Sequence, residues 1–257
     1  MPITRRRFVA FLTLASTRAS LYGQQAPPGQ PVSVRFAAIG DMGTGDTPQY
    51  ELAAMMVVFR RTFPFEFVIT LGDNIYGGNS ASDYRDKFEL PYKSLLEADV
   101  RFYASLGNHD SPNQRLYKPF NMDGRQYYTY TKGNVQFFAL DSTYMSPQQL
   151  AWLTKELQSV LEPLFVKYGV QIVFAGHDHV YERVKPQKGV SYFVEGASGQ
   201  LRKGDLRRGA ALTAAGYDGD LSFMLVEITG DVLKFQTISR TGRIVDSDII
   251  LRPTTRE

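Results

Sequence analysis

All three histidines of this 257-residue chain lie in two short motifs, and each motif follows a hydrophobic run that ends in glycine. The motifs are Gly107-Asn108-His109-Asp110 and Gly176-His177-Asp178-His179. The preceding runs, residues 100–106 and 170–175, are short and rich in β-branched or aromatic residues, which is typical of buried strands. The sequence therefore places every histidine at one of two strand ends.

Two further predicted strands end in glycine followed by aspartate. Residues 34–39 lead into Gly40-Asp41, and residues 67–71 lead into Gly72-Asp73-Asn74. Loops at the carboxyl edge of an α/β sheet can converge on one ligand, and imidazole and carboxylate groups together bind hard or borderline metal ions. A simple turn with glycine at positive φ is the alternative for any one motif, and for Gly40-Asp41 alone we would favour it. Because the four strand ends include every histidine, we interpret the set as a metal site.

The composition allows a substantial core and excludes several kinds of site. Hydrophobic residues make up 43% of the chain and aromatic residues 13%. The absence of cysteine excludes disulfides, thiolate zinc sites and cysteine nucleophiles. No segment reaches the length of a transmembrane helix, so we expect no stable membrane anchor.

The N-terminal residues predict export. Residues 4–9, with Arg5-Arg6-Arg7, precede a short apolar stretch, residues 10–15. We predict a twin-arginine-type signal over residues 1–25, a linker over 26–31 and one domain over 32–257, with a periplasmic or extracellular location. A basic, solvated tail is the alternative. Residues 26–257 hold 25 basic and 26 acidic side chains, so the basic balance belongs to the leader and implies no nucleic-acid binding.

Hydrophobic periodicity predicts an α/β half followed by antiparallel strands, which indicates two sheets packed face to face with helices outside. The predicted helices are residues 47–61, 83–98 with an interruption at Pro91, and 147–161. The predicted strands after the first half are a hairpin of 126–131 with 135–140, then 190–195, 222–228, 232–239 and 244–251.

The four glycine motifs resemble, in order, the signature blocks of the calcineurin-like metallophosphoesterases. Tyr76, three residues after Asp73, resembles the tyrosine of the purple acid phosphatase branch. The likeness extends to residues 192–199 and 223–227, which resemble late strands of small acid phosphatases. The resemblance implies a four-layer α/β/β/α sandwich of two mixed sheets, with a dinuclear metal site between the sheets.

The resemblance also implies a role for each candidate residue. The first metal would be bound by Asp41, Asp73, Tyr76 and His179, and the second by Asp73 as a bridge, Asn108 and His177. His109 would stay off the metals and protonate the leaving group. The implied metals are a divalent or mixed-valent pair, iron with zinc, manganese or iron, because a phenolate favours Fe(III). An ordinary aromatic residue beside a turn is the alternative for Tyr76.

One block of the family pattern is missing. The family carries a further histidine, a ligand of the second metal, on a strand before the final His-x-His motif. Here residues 147–161 run into residues 162–168, which resemble the helix after that strand, and no histidine lies between Leu157 and His177. A central strand, its loop and its ligand are thus expected to be deleted, which would weaken the second metal site and leave unpaired or rearranged strands.

Three functions remain open. The first is a phosphomonoesterase that uses a metal-bound hydroxide on phosphate esters. The second is a non-catalytic member that binds metal or phosphate, which the deletion favours. The third is a phosphodiesterase of the same fold. The chain lacks the Gly-x-Ser-x-Gly motif of a nucleophile elbow and the phosphate-binding loop of nucleotide triphosphatases, so the sequence disfavours those enzyme classes.

Overall fold

The computed structural model describes residues 11–15, 32–141, 143, 146–149, 151–152, 170–206 and 209–252. Thirteen strands and three α-helices have both ends in these residues, and residues 147–149 and 151–152 are also helical. The strands are β1 Phe11–Ala15, β2 Ser33–Ile39, β3 Phe67–Leu71, β4 Arg101–Ser105, β5 Tyr128–Lys132, β6 Val135–Ala139, β7 Ile172–Ala175, β8 Tyr181–Gln187, β9 Val190–Glu195, β10 Thr213–Tyr217, β11 Ser222–Thr229, β12 Val232–Ser239 and β13 Ile244–Leu251. The helices are α1 Thr47–Arg60, α2 Ala81–Tyr84 and α3 Lys93–Leu96.

The strands form two mixed sheets. The six-stranded sheet has the order β13-β12-β11-β2-β3-β4, in which β2, β3 and β4 are parallel. The seven-stranded sheet has the order β10-β8-β9-β7-β1-β6-β5, in which β7 and β9 are parallel. Parallel strands end at one edge, so the loops after β2, β3 and β4 emerge side by side.

The core lies between the two sheets and is rich in aromatic rings. Phe36 of β2 is fully buried and contacts two rings of the opposite sheet edge-on, Phe137 at 5.4 Å and Phe174 at 5.9 Å between centroids. Helix α1 covers the other face of the six-stranded sheet, where Phe59 contacts Phe223 with centroids 6.0 Å apart. The predicted α/β sandwich of two sheets with helices outside is therefore confirmed.

The helices show how local sequence sets their limits. Helix α1 has Pro48 in its first turn, where the missing N–H would have no partner anyway, and it matches the predicted helix closely. The predicted helix of residues 83–98 is divided into α2, a π-helical turn at Arg85–Glu89 and α3, with Pro91 before α3. Most of the predicted helix 147–161 lies outside the described residues. No helix in the described part of the chain is long and apolar enough to cross a membrane.

The hairpin β5–β6 and the strands β9, β11, β12 and β13 confirm the predicted strands. Strands β8 and β10 were not predicted. Pro186 lies within β8, and β10 contains Gly216 and two alanines, so both segments lack the composition typical of strands. They form because β8 pairs with β9 and β10 pairs with β8.

The seven-stranded sheet has no gap where a central strand was expected to be missing. Strand β1 lies between β6 and β7 and runs antiparallel to both. Its residues belong to the predicted leader, residues 1–25, so a segment of the N-terminus forms a central strand of this sheet. The division into signal, linker and domain stays a prediction.

Candidate metal centre

The predicted site residues come from strand ends of both sheets. Asp41 follows β2, Asp73 follows β3, and Asn108 follows β4, all in the six-stranded sheet. His177 and His179 follow β7 of the seven-stranded sheet. The two sets meet directly, since the backbone N–H of His177 donates to Oδ2 of Asp41 at 2.7 Å.

Four of these residues form a compact, largely buried cluster. Ligand atoms of Asp41, Asp73 and His179 all lie within 4.8 Å of one another. The hydroxyl of Tyr76 donates to Oδ1 of Asp41 and to Oδ2 of Asp73, each at 3.1 Å, and lies 3.4 Å from Nε2 of His179. His179 Nε2 is 3.1 Å from Oδ1 of Asp41. The four residues that the resemblance implies for the first metal are thus brought together.

The charges in this cluster are consistent with a cation. Burial raises the pKa of Asp41, and the nearby charge of Asp73 raises it further, against the lowering effect of His179. Burial is also the main cause that raises the pKa of Tyr76, and both carboxylates add to it. A bound cation would reverse these effects, because it favours the ionised form of each group. Two carboxylates, a phenol and an imidazole are a donor set that suits a hard or borderline metal ion.

A second, more exposed group of residues lies beside this cluster. Nδ1 of His177 is 2.8 Å from Oδ1 of Asn108. The backbone N–H of His109 donates to Oδ1 of Asp73 at 2.9 Å, and the ring of His109 lies against Tyr76 with centroids 5.1 Å apart. Asn108, His109 and His177 are all exposed. The site is therefore closed on the side of Asp41 and open on the side of His109.

The backbone at the site is strained and closely packed. Three of the candidate ligands have positive φ: Asp41 at 54°, Asp73 at 51° and His177 at 78°. Non-glycine residues adopt this conformation rarely, and such residues cluster at functional sites. At Gly176 a Cβ atom would lie 2.7 Å from Oδ2 of Asp41, so only glycine allows this approach.

Asp110 supports the site, and the sequence analysis gave it no role. Its Oδ1 accepts from the backbone N–H of Asn74 at 2.8 Å and of Ile75 at 3.1 Å. Its Oδ2 accepts from the backbone N–H of Gly107 and from Nδ2 of Asn74, both at 2.8 Å. Asp110 thus ties the loop that carries Asp73 to the loop that carries His109. Its position directly after His109 in the motif is the only signal in the sequence.

Glu195 is a second buried carboxyl near the site that the sequence analysis missed. It is fully buried at the end of β9, where Oε1 accepts from Oγ of Ser222 at 3.0 Å. Burial raises the pKa of Glu195 to about 8, and the charge of Asp41 contributes. The sequence of β9 does not indicate the burial or the raised pKa of Glu195, because both depend on how the two sheets pack.

The model of the calcineurin-like phosphoesterase family matches residues 34–181, which include all the candidate metal ligands and His109. The chain belongs to the calcineurin-like phosphoesterase family. Within the family it is similar to the purple acid phosphatase-like branch. Tartrate-resistant acid phosphatase type 5 of Oryctolagus cuniculus is 25% identical over 240 residues, which cover 66% of this chain and 74% of that protein.

Two solved structures share the fold of this phosphoesterase. The purple acid phosphatase PPD1 of Lupinus luteus has a TM-score of 0.67 at 18% identity, over 89% of this chain and 55% of that one. A structure described as GAP50, the anchor in the inner membrane complex of Plasmodium, has a TM-score of 0.69 at 17% identity, over 87% and 90%. These likenesses show the fold, while the family match and the acid phosphatase relatives support a hydrolase of phosphate esters.

Proposed function

We propose that this protein is a phosphomonoesterase of the acid phosphatase type, which uses a metal pair containing iron. The observation that carries the proposal is the convergence of Asp41, Asp73, Tyr76 and His179, with the Tyr76 hydroxyl 3.1 Å from both carboxylates. The four residues would hold the first metal. Asp73, together with Asn108 and His177, would also hold the second metal, and the pair would be iron with zinc, manganese or iron.

The metals, when bound, would supply Lewis-acid activation of water and neutralise charge on the phosphoryl group. Residues of the chain would donate the proton to the leaving group and position the metal ligands. His109 lies on the open side of the site, where its ring can reach the leaving-group oxygen of a substrate and donate a proton to it. The contact of His109 with Tyr76 holds the imidazole at the edge of the metal cluster. The backbone N–H groups of His177 and His109, which donate to Asp41 and Asp73, keep both carboxylates in place.

The first experiment tests the proposed role of His109 as the general acid. His109→Ala should lower kcat on an alkyl phosphate by about 10²- to 10⁴-fold, the usual contribution of a positioned general acid. It should lower kcat much less on an aryl phosphate, since that leaving group needs little protonation. The metal content should be unchanged, because His109 is assigned no metal. Equal losses on both substrates would contradict the role of His109.

The second experiment tests Asp73 and Tyr76 as metal ligands. Asp73→Ala should lose both metal and activity, because this carboxylate is assigned to both ions. Tyr76→Phe should abolish the broad visible band expected of a phenolate bound to Fe(III) without unfolding the chain. Tyr50→Phe is the matched control, since the Tyr50 hydroxyl donates to the backbone oxygen of Asp86 outside the site. A colourless iron-loaded wild type would favour zinc or manganese at the first position.

A non-catalytic, metal-binding protein is the second candidate. One observation favours it: β1, which lies between β6 and β7, has the sequence Phe-Leu-Thr-Leu-Ala and contains no histidine or carboxylate that could replace the expected missing ligand. This candidate predicts about one tightly held metal after dialysis and no hydrolysis above the level of His109→Ala. Two metals retained per chain would contradict the weak second site.

We also propose that the chain acts outside the cytoplasm. The support is the arginine triplet Arg5-Arg6-Arg7 ahead of a short apolar stretch. Replacing Arg5 and Arg6 by lysine should leave the protein in the cytoplasm. Unchanged export of this variant would assign the segment to a different route.

A further inference from the structure

Strand β1 is far in sequence from both strands that it pairs with. Its five residues pair with β6 from Phe11 opposite Ala139 to Ala15 opposite Val135. On its other side, Phe11 to Thr13 lie opposite Phe174 to Ile172 of β7. It is the only connection, among the described residues, between the group β5–β6 and the group β7–β8–β9–β10 of this sheet.

The position that β1 fills would be costly to leave empty. Strands β6 and β7 both run antiparallel to β1, so each would present a row of backbone N–H and C=O groups to the gap. The side chains around this gap are buried, including Phe137, Phe138 and all four residues of β7. Backbone groups in such surroundings need hydrogen-bond partners, because water cannot reach them freely.

Residues 11–15 have the composition that this gap requires. The segment contains Phe11, two leucines, Thr13 and Ala15, without charge, glycine or proline. An apolar segment without proline suits this position, because its side chains face buried surroundings and a proline would remove a backbone N–H from the ladder.

We infer that residues 11–15 are a permanent strand of the folded protein, bound in the groove between β6 and β7. The groove is a strand-binding surface, and its occupant is the protein's own N-terminal segment. The folded protein therefore keeps these residues. A strand paired between β6 and β7 cannot also be the apolar part of an export signal, so this inference and the export proposed above exclude each other. The inference does not depend on the catalytic activity proposed above.

A disulfide tests the register in the full chain, which has no cysteine of its own. Leu14 lies opposite Gln136, so Leu14→Cys with Gln136→Cys should form an intramolecular disulfide under mild oxidation. The control keeps Leu14→Cys and pairs it with Thr131→Cys. Thr131 lies opposite Gln136 on the far side of β6, one strand further away, and two strand spacings exceed the reach of a disulfide. Failure of the first pair to cross-link, or equal cross-linking of both pairs, overturns the inference.

Removal of the strand tests its contribution to stability. A chain of residues 26–257 should unfold at a midpoint at least about 10 °C below that of the full chain, since several buried backbone bonds are lost. A peptide of residues 9–17 should raise the midpoint, and the same peptide with Thr13→Pro should not. A truncated chain as stable as the full chain overturns the inference.

Two measurements apply even if the truncated chain is insoluble. In the full chain, Thr13→Pro should lower the midpoint by a similar amount, whereas Thr13→Val, which keeps the backbone N–H, should not. Equal midpoints for the two variants overturn the inference. The intact mass of the folded protein from its native cells should include residues 11–15. A folded protein that begins after Ala15 also overturns it.

Discussion

Glu195 should make the stability of the metal-free protein fall as the pH rises. Its side chain is fully buried, its Oε1 accepts from the hydroxyl of Ser222, and the backbone N–H of Ala197 also stabilises the carboxylate, whereas Oε2 has no hydrogen-bond partner among the described residues. Burial disfavours the charged form and raises the pKa to about 8 from an ordinary value of 4.5, and the charge of Asp41 adds to this. At neutral pH the folded chain therefore holds a proton that the unfolded chain has lost.

The sign and size of the effect follow from proton linkage. A carboxyl with a raised folded-state pKa contributes stability that is fully present below about pH 4.5 and is lost as the pH rises through about 8. A shift of about 3.5 units corresponds to about 5 kcal/mol at most, at 1.36 kcal/mol per unit. Glu195→Gln removes this titration while keeping a neutral side chain of the same shape. The variant should match wild type near pH 4.5 and become more stable than it by several kcal/mol near pH 8.

Urea unfolding at a series of pH values from 4.5 to 8.5 measures the difference. The protein should be stripped of metal with a chelator, because a cation beside Asp41 would lower the pKa of Glu195 and mask the effect. Glu66→Gln, an exposed glutamate, is the matched control and should follow the wild-type profile. If the profiles of wild type and Glu195→Gln are parallel, Glu195 titrates in the folded chain as it does in the unfolded chain, and the reasoning is refuted.

Three further predictions concern the residues that hold the site and the two sheets together. Asp110→Asn places an N–H₂ group opposite two N–H donors. It should lower the free energy of unfolding by about 3 kcal/mol in urea titrations. The exposed control Asp123→Asn should change the free energy of unfolding by under about 0.5 kcal/mol. Gly107→Ala would place a Cβ atom 2.9 Å from Cγ of Asp73. Metal affinity should therefore fall by at least about tenfold, as measured by metal analysis after dialysis. A metal content equal to that of wild type would contradict this prediction. Arg183→Lys removes a guanidinium on β8 that binds two aspartates of β13. The free energy of unfolding in the same urea assay should fall by about 1–2 kcal/mol. An unchanged midpoint would show that this ion pair does not stabilise the fold.

The elements with strong local patterns, and the residue types of the candidate site, could be predicted from the sequence. Helix α1 and the strands β2, β3, β4 and β7 follow from hydrophobic periodicity and from the glycine that ends each strand. The same glycines mark the site, because a turn at a strand end is a local property of the chain. The ligand types, carboxylate, phenol and imidazole, could therefore be listed before any packing was known.

Which distant segments meet depends on how the two sheets pack. The sequence indicated that a strand was missing, but not that residues 11–15 would pair with β6 and β7, since a five-residue apolar segment fits a leader and a buried strand equally well. Strands β8 and β10 form only through their neighbours, since their own composition is poor for strands. Asp110 and Glu195 acquire their roles through burial and through partners that packing brings to them. Hydrophobic periodicity along the chain does not predict a shifted pKa, a strained φ or a candidate metal site, because each arises from groups that are distant in sequence and meet in the fold.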